Sequence, residues 1–244
     1  MKAPAAEQLK LLDLQAADNQ VAQLEHSLRT LPQEKRLAEL QRDSAAARAE
    51  YASVSGELES AQNEITRVEA DIHTVTAREK RDNERLQATS SSKDIQGLER
   101  ELESLRVRRL TLEDTELAVM ERVEEIEVRL GAITARRDDI ATEERMLAGA
   151  RDEQRQRILK QLEIARSERD AVAGGIVPEL LALYQKLRER YGVGAALLQR
   201  RVSLGSNVEL TGTDLAAIRA AAPDDVVLDP ESTCILVRTD ESGL

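Results

Sequence analysis

Tryptophan and phenylalanine are absent from this sequence, and three tyrosines supply its only aromatic rings. A compact domain of comparable length draws much of its core from such rings, so Leu, Ile, Val and Ala must supply the apolar packing here. Cysteine is nearly absent too. A single residue, Cys234, excludes an intrachain disulfide and fits a cytoplasmic setting. No run approaches the ~18 apolar residues that a membrane-spanning helix requires, and the opening MKAPAAEQLKLLDLQ lacks the apolar stretch of a signal peptide. Positive charge is in deficit: 35 Lys and Arg stand against 46 Asp and Glu, a net charge of −11. That balance opposes sequence-independent binding to a phosphate backbone.

What the sequence does contain is charge and helical periodicity. One third of the residues are charged, and the apolar ones recur at alternating spacings of three and four, the signature of long helices and coiled coils. A first stripe (Leu11, Leu14, Val21, Leu24, Leu28, Leu31) runs to Pro32, where a lost donor and a steric clash predict a kink or break. A heptad seam follows in Tyr51, Val54, Leu58, Ala61, Ile65, Val68, Ile72 and Val75. After Leu86 comes a small polar stretch, Ala88 to Asp94, with the composition of a turn. A second seam extends from Ile95 through Leu98, Leu105, Leu112, Val119, Ile126, Ile133 and Ile140 to Leu147, with Arg109, Glu116, Arg137 and Glu144 as polar exceptions. Helical character then persists to Gly174-Gly175.

Two seams around one short turn predict an antiparallel helical hairpin over residues 1–175, with its tip near 87–94. Residues whose numbers total about 181 then face each other, Tyr51 near Leu130 and Val75 near Leu105. Pairing of each seam with a second chain is the alternative. Residues 176–244 form a second region: a short helix from Pro178, strand-like runs at 197–202, 207–210, 226–228 and 234–239, and a helix over 214–222. Residues 203–244 are acidic, with two Arg against eight Asp or Glu. The fold class expected is mainly α, a long coiled-coil hairpin with a small C-terminal α+β domain.

No catalytic constellation is evident. His26 and His73 lie roughly 70 Å apart along a straight helix, no glycine-rich phosphate loop occurs, and the acids fall at solvated helical spacings. An enzyme is not expected. Between Ala77 and Arg109 nine Lys or Arg nearly balance seven acids, with no aromatic to stack a base. If the tip meets a polyanion or a partner, Arg81, Arg85, Lys93, Arg106 and Arg109 are the candidate contacts.

The C-terminal residues GVGAALLQRR…VEL…DLAAIRAAAPDDVV…ILVRTDESGL, following such a hairpin, resemble the bacterial C4-type zinc ribbon family, and within it the actinobacterial branch. In that family two CxxC knuckles hold zinc, one before the short helix and one before the last strand. The resemblance places the knuckles at Ser203 and Ser206 and at Asp229 and Ser232, none of them cysteine. Cys234 lies two positions too far on to restore a ligand. Three hydroxyls and a carboxylate are a poor donor set for tetrahedral zinc, so the resemblance implies a degenerate, metal-free ribbon with no cofactor. It also implies a non-enzymatic adaptor, scaffold or chaperone that binds a protein partner through the tip, the C-terminal domain or both, as monomer or homodimer without membrane insertion. Binding of RNA or DNA, as other ribbons do, is the alternative.

Overall fold

The computed structural model describes all 244 residues. Helix α1 (Ala5–Arg29) ends before Pro32, and α2 (Gln33–Ala88) starts directly after it, so the proline marks a break between helices. Three residues separate α2 from helix α3 (Ser92–Gly174), which ends at the glycine pair. Helix α4 (Pro178–Tyr191) carries proline at its first position and Gly192, at φ 84°, as a left-handed cap. A five-stranded sheet follows: β1 (Ala195–Gln199), β2 (Val202–Ser203), β3 (Val208–Glu209), β4 (Val227–Leu228) and β5 (Ile235–Val237), with α5 (Gly212–Ala220) between β3 and β4. The strand order is β3-β2-β1-β5-β4. β1 and β5 are parallel, and the remaining pairs are antiparallel. No helix is long and apolar enough to cross a membrane.

The chain forms two compact units. One comprises Gln33–Gly149, and the other combines Met1–Pro32 with Ala150–Leu244. The expected division into 1–175 and 176–244 therefore does not describe the packing. The reason is that α1 and the end of α3 share a core with the C-terminal sheet: Leu11, Leu14 and Ala173 pack with Leu180, Tyr184, Ile235 and Val237.

Within the unit 33–149, α2 and the first part of α3 run antiparallel in one register, and the seams pair inside one chain. After Leu37, the buried positions of α2 fall at a strict spacing of seven, Leu40, Ala47, Val54, Ala61, Val68, Val75 and Asp82; those of α3 include Leu98, Leu105, Val119, Ile126 and Ile133. Val54, Ala61, Val119, Ile126 and Ile133 form one cluster, flanked by Tyr51 and Leu130. A ladder of ion pairs crosses between the helices beside this seam: Glu50 with Arg136, Glu57 with Arg129 and Glu64 with Arg122. Each step is one heptad, with the acid always on α2. Arg137, a polar exception on the seam, covers the ring of Tyr51 at 4.7 Å. This places a cation over an aromatic face.

The C-terminal strands correct one expectation. The run 197–202 is not one strand, because the chain reverses at Arg200 and Arg201, both left-handed (φ 46° and 68°). Two such residues make the tight hairpin turn whose twist suits antiparallel strands, a turn ordinarily built from Asn and Gly. Here the backbone N–H groups of Arg200 and Arg201 donate to the carbonyls of Glu241 and Ser242, so the chain end holds the turn.

Candidate functional site

The four positions singled out in the C-terminal region meet at one point. Asp229, buried, sits at the turn between β4 and β5. Ser203 Oγ donates to its Oδ2 at 2.7 Å, Ser232 Oγ donates to the same oxygen, and the N–H of Glu231 donates to Oδ1 at 3.2 Å. Ser206 Oγ is buried beside this carboxylate without closing a hydrogen bond of good geometry. Gly205 N–H donates to Ser203 Oγ, and Cys234 Sγ lies 3.1 Å from Ser232 Oγ. Because Ser232 spends its proton on Asp229, the thiol is the donor in that contact. Burial pushes the Cys234 thiol up, which keeps it neutral. Gly205 is required here, since a Cβ on it would lie 2.7 Å from Cys234 Sγ. Burial alone would raise the Asp229 carboxyl, but the hydrogen bonds from Ser232, Ser203 and Glu231 outweigh it and hold the group below the usual carboxylate range.

A second polar cluster joins α1, α3 and α4, and the sequence did not announce it. Asp18, buried, accepts from Tyr184 Oη at 2.7 Å and from Arg169 Nε at 3.1 Å, and Arg188 Nη1 lies 3.2 Å from it. Gln15 Oε1 accepts from the N–H of Gly194 at 2.7 Å, which fixes the entry to β1. A cavity of about 450 Å³ opens alongside. Both guanidinium groups are already turned onto Asp18, so the cluster clamps three helices. The available signal was the position of Asp18 four residues beyond Leu14, on the apolar stripe of α1, where a carboxylate needs partners.

The five tip cations do not converge. Arg81 donates to the carbonyl of Ala77 on its own helix, and Arg85 leans on Asp82 at 3.5 Å. Arg106 lies 3.9 Å from Glu103, and Arg109 pairs with Glu79 at 3.2 Å and with Glu113 at 3.1 Å. Lys93 is exposed in the first turn of α3. Four of the five guanidinium or ammonium groups thus have a local acceptor, and no positive groove results. No group of three or more His, Cys, Asp or Glu side chains is placed to hold a metal ion.

Against known proteins, residues 14–192 match the CT398-like coiled coil hairpin domain. The chain belongs to that family. The match begins within α1, takes in α2 to α4 and stops before β1, so the Asp229 cluster lies beyond the matched residues. An uncharacterized protein of Mycobacterium tuberculosis strain H37Rv is 33% identical over 98% of both chains. Among solved structures, a protein from Mycobacterium smegmatis superposes with a TM-score of 0.86 at 33% identity, covering 98% of this chain and all of that one. CT398 from Chlamydia trachomatis gives 0.69 at 18% identity over 96% of this chain and 98% of its own, a likeness of fold.

The resemblance to zinc ribbons brings a metal into question, and the residues present do not fit one. The hydroxyls of Ser203 and Ser232 point their protons at Asp229, and its oxygens are occupied by those donors. Zinc would need deprotonated sulfur or nitrogen ligands in place of these groups.

Proposed function

We propose that the chain is a non-enzymatic, cytoplasmic adaptor or scaffold that binds a protein partner through the hairpin tip, the C-terminal unit or both. The observation that supports it most is the arm itself. Across residues 33–149, α2 and the first part of α3 are held in one register by a heptad seam and by ion pairs that cross between them, including Glu50–Arg136, Glu57–Arg129, Glu64–Arg122 and Arg36–Glu143, and the two helices are joined by a three-residue connection. Such an element positions a surface at a distance. In this reading the C-terminal unit is a ribbon that has exchanged zinc for a hydrogen-bonded carboxylate at Ser203, Ser206, Asp229 and Ser232. The paired tip cations and the acidic sequence weigh against an RNA- or DNA-binding role.

Site-specific photocrosslinking in the full chain tests the reading, with the reactive group placed in turn at Lys93 on the tip and at Glu231 in the C-terminal unit. The same partner should be recovered from at least one position and lost on removal of that end. A partner retained after removal of residues 78–109 and, separately, of 203–244 overturns it. Stoichiometric zinc in the purified protein overturns the metal-free ribbon.

A further inference from the structure

The outward faces of α2 and α3 are unlike each other. In a two-helix coiled coil the positions opposite the seam meet water and are ordinarily polar. α2 obeys this along its whole length, with no large apolar side chain exposed. α3 does not. Leu110, Leu117 and Val128 stand 48%, 59% and 73% exposed, at spacings of seven and eleven that return to one side of a helix of 3.6 residues per turn. They lie on the side away from the buried Leu105, Val119 and Ile126. Val107 and Met120, also exposed, extend the stripe and border it. Scattered single apolar residues need no explanation, but three on one side of one helix, interleaved with acids and with no counterpart on α2, form a patterned face.

The charges around the stripe are of one sign. Between Leu110 and Val128 lie seven acids, Glu113, Asp114, Glu116, Glu121, Glu124, Glu125 and Glu127, and a single base, Arg122. Arg122 is turned toward α2, where it pairs with Glu64. Asp114, Glu121 and Glu124 share the outward face with the leucines, and Glu121, Glu124, Glu125, Val128 and Arg129 line a shallow hollow there. We propose that this face of α3, Leu110 to Val128, is a docking surface for a basic amphipathic helix of another protein. Its leucine-type side chains would cover Leu110, Leu117 and Val128, while its Lys and Arg flanks would meet the acids. A second copy of the chain is disfavoured as occupant, because it would set two acidic faces against each other. The inference rests on the adaptor reading, but it places the contact on residues 110–128, outside both the tip and residues 176–244.

The probe is a synthetic 18-residue peptide with leucine at one-face helical spacing and Lys or Arg on the flanks. A scrambled peptide of identical composition serves as control. Binding to the full chain is read by fluorescence anisotropy, with Leu117→Ser combined with Val128→Ser as the test variant. Both positions are solvent-facing, so circular dichroism and melting should be unchanged; Val128→Ser alone is the fallback if the pair misfolds. The amphipathic peptide should bind at least about ten-fold tighter than the scrambled one, and the serine pair should weaken it by about ten-fold, a difference of roughly 1.4 kcal/mol. Equal binding of the two peptides, binding unmoved by the serine substitutions, or no binding below about 100 µM overturns the proposal. So does sedimentation showing that the chain self-associates and that the serine pair abolishes it. Crosslinking at positions 93 and 231 is indifferent to these substitutions, so failure of the docking face leaves the adaptor reading standing.

Discussion

A buried carboxylate is costly unless its oxygens are filled, and Asp229 has three donors to fill them. Its contribution to folding therefore depends on its charge. Because its folded value lies below the ordinary range near ~4, the stabilisation is fully present above that pH and is lost as pH falls through the depressed value. Asp229→Asn keeps the shape but removes the charge, and its N–H₂ must face either the two hydroxyl donors or the N–H of Glu231, so it should cost about 1–3 kcal/mol at pH 7. Thermal melting of the two proteins should differ clearly at neutral pH and converge as the pH is taken below about 4. A gap that persists unchanged in acid would show that the charge on Asp229 is not what the hydroxyls stabilise. The positions in this cluster were legible only through resemblance. Nothing in a spacing of three between two serines reads as a site, and the bond from Ser203 to Asp229, 26 residues on, arises because β1 pairs with both β2 and β5.

Among the elements, the two long helices were the most legible, because a period of seven repeated over many turns has few competing explanations. Tyr51, Val54, Leu58 and Ala61 sit on the seam that their spacing indicated. The turn at Arg200 and Arg201 was not legible, since two left-handed arginines replace the usual Asn-Gly signal and the chain end supplies their partners. Asp82 belongs between these cases. It occupies a seam position, seven residues after Val75, yet it is buried with one oxygen lacking a hydrogen-bond partner, and its nearest cations are the exposed Arg85 at 3.5 Å and Arg78 at 3.9 Å. Polar residues at such positions fix register at a cost in stability. Asp82→Leu should therefore raise the stability of the unit 33–149 by about 1–3 kcal/mol in a denaturant titration. An unchanged or lowered midpoint would mean that the flanking arginines already compensate the charge.

At the scale of the whole chain, the two ends belong to one body. Ala3 N–H donates to the carbonyl of Asp224, Val226 N–H donates to that of Met1, and Lys2 pairs with Asp224 at 3.0 Å. Leu11 and Leu14 share their core with Ile235 and Val237. Removal of residues 1–29 should consequently expose β1 and β5, which lie more than 160 residues away in sequence. Hydrogen exchange should show lost protection at 195–199 and 235–237, with 51–75 unaffected. Retained protection in the strands would show that the sheet stands without α1.

The order in which the molecule is made gives that closure a cost in time. Leu11 and Leu14 leave the ribosome early, while Ile235 and Val237 follow more than 220 residues later. At synthesis rates of about 5–20 residues per second, roughly 10 to 45 s pass before α1 can find its partners in the sheet, after Leu180 and Tyr184 of the same core have already been made. Through that interval the part of its apolar stripe that faces the sheet waits uncovered, so closure of this core is paced by translation and not by the helices, which form far faster.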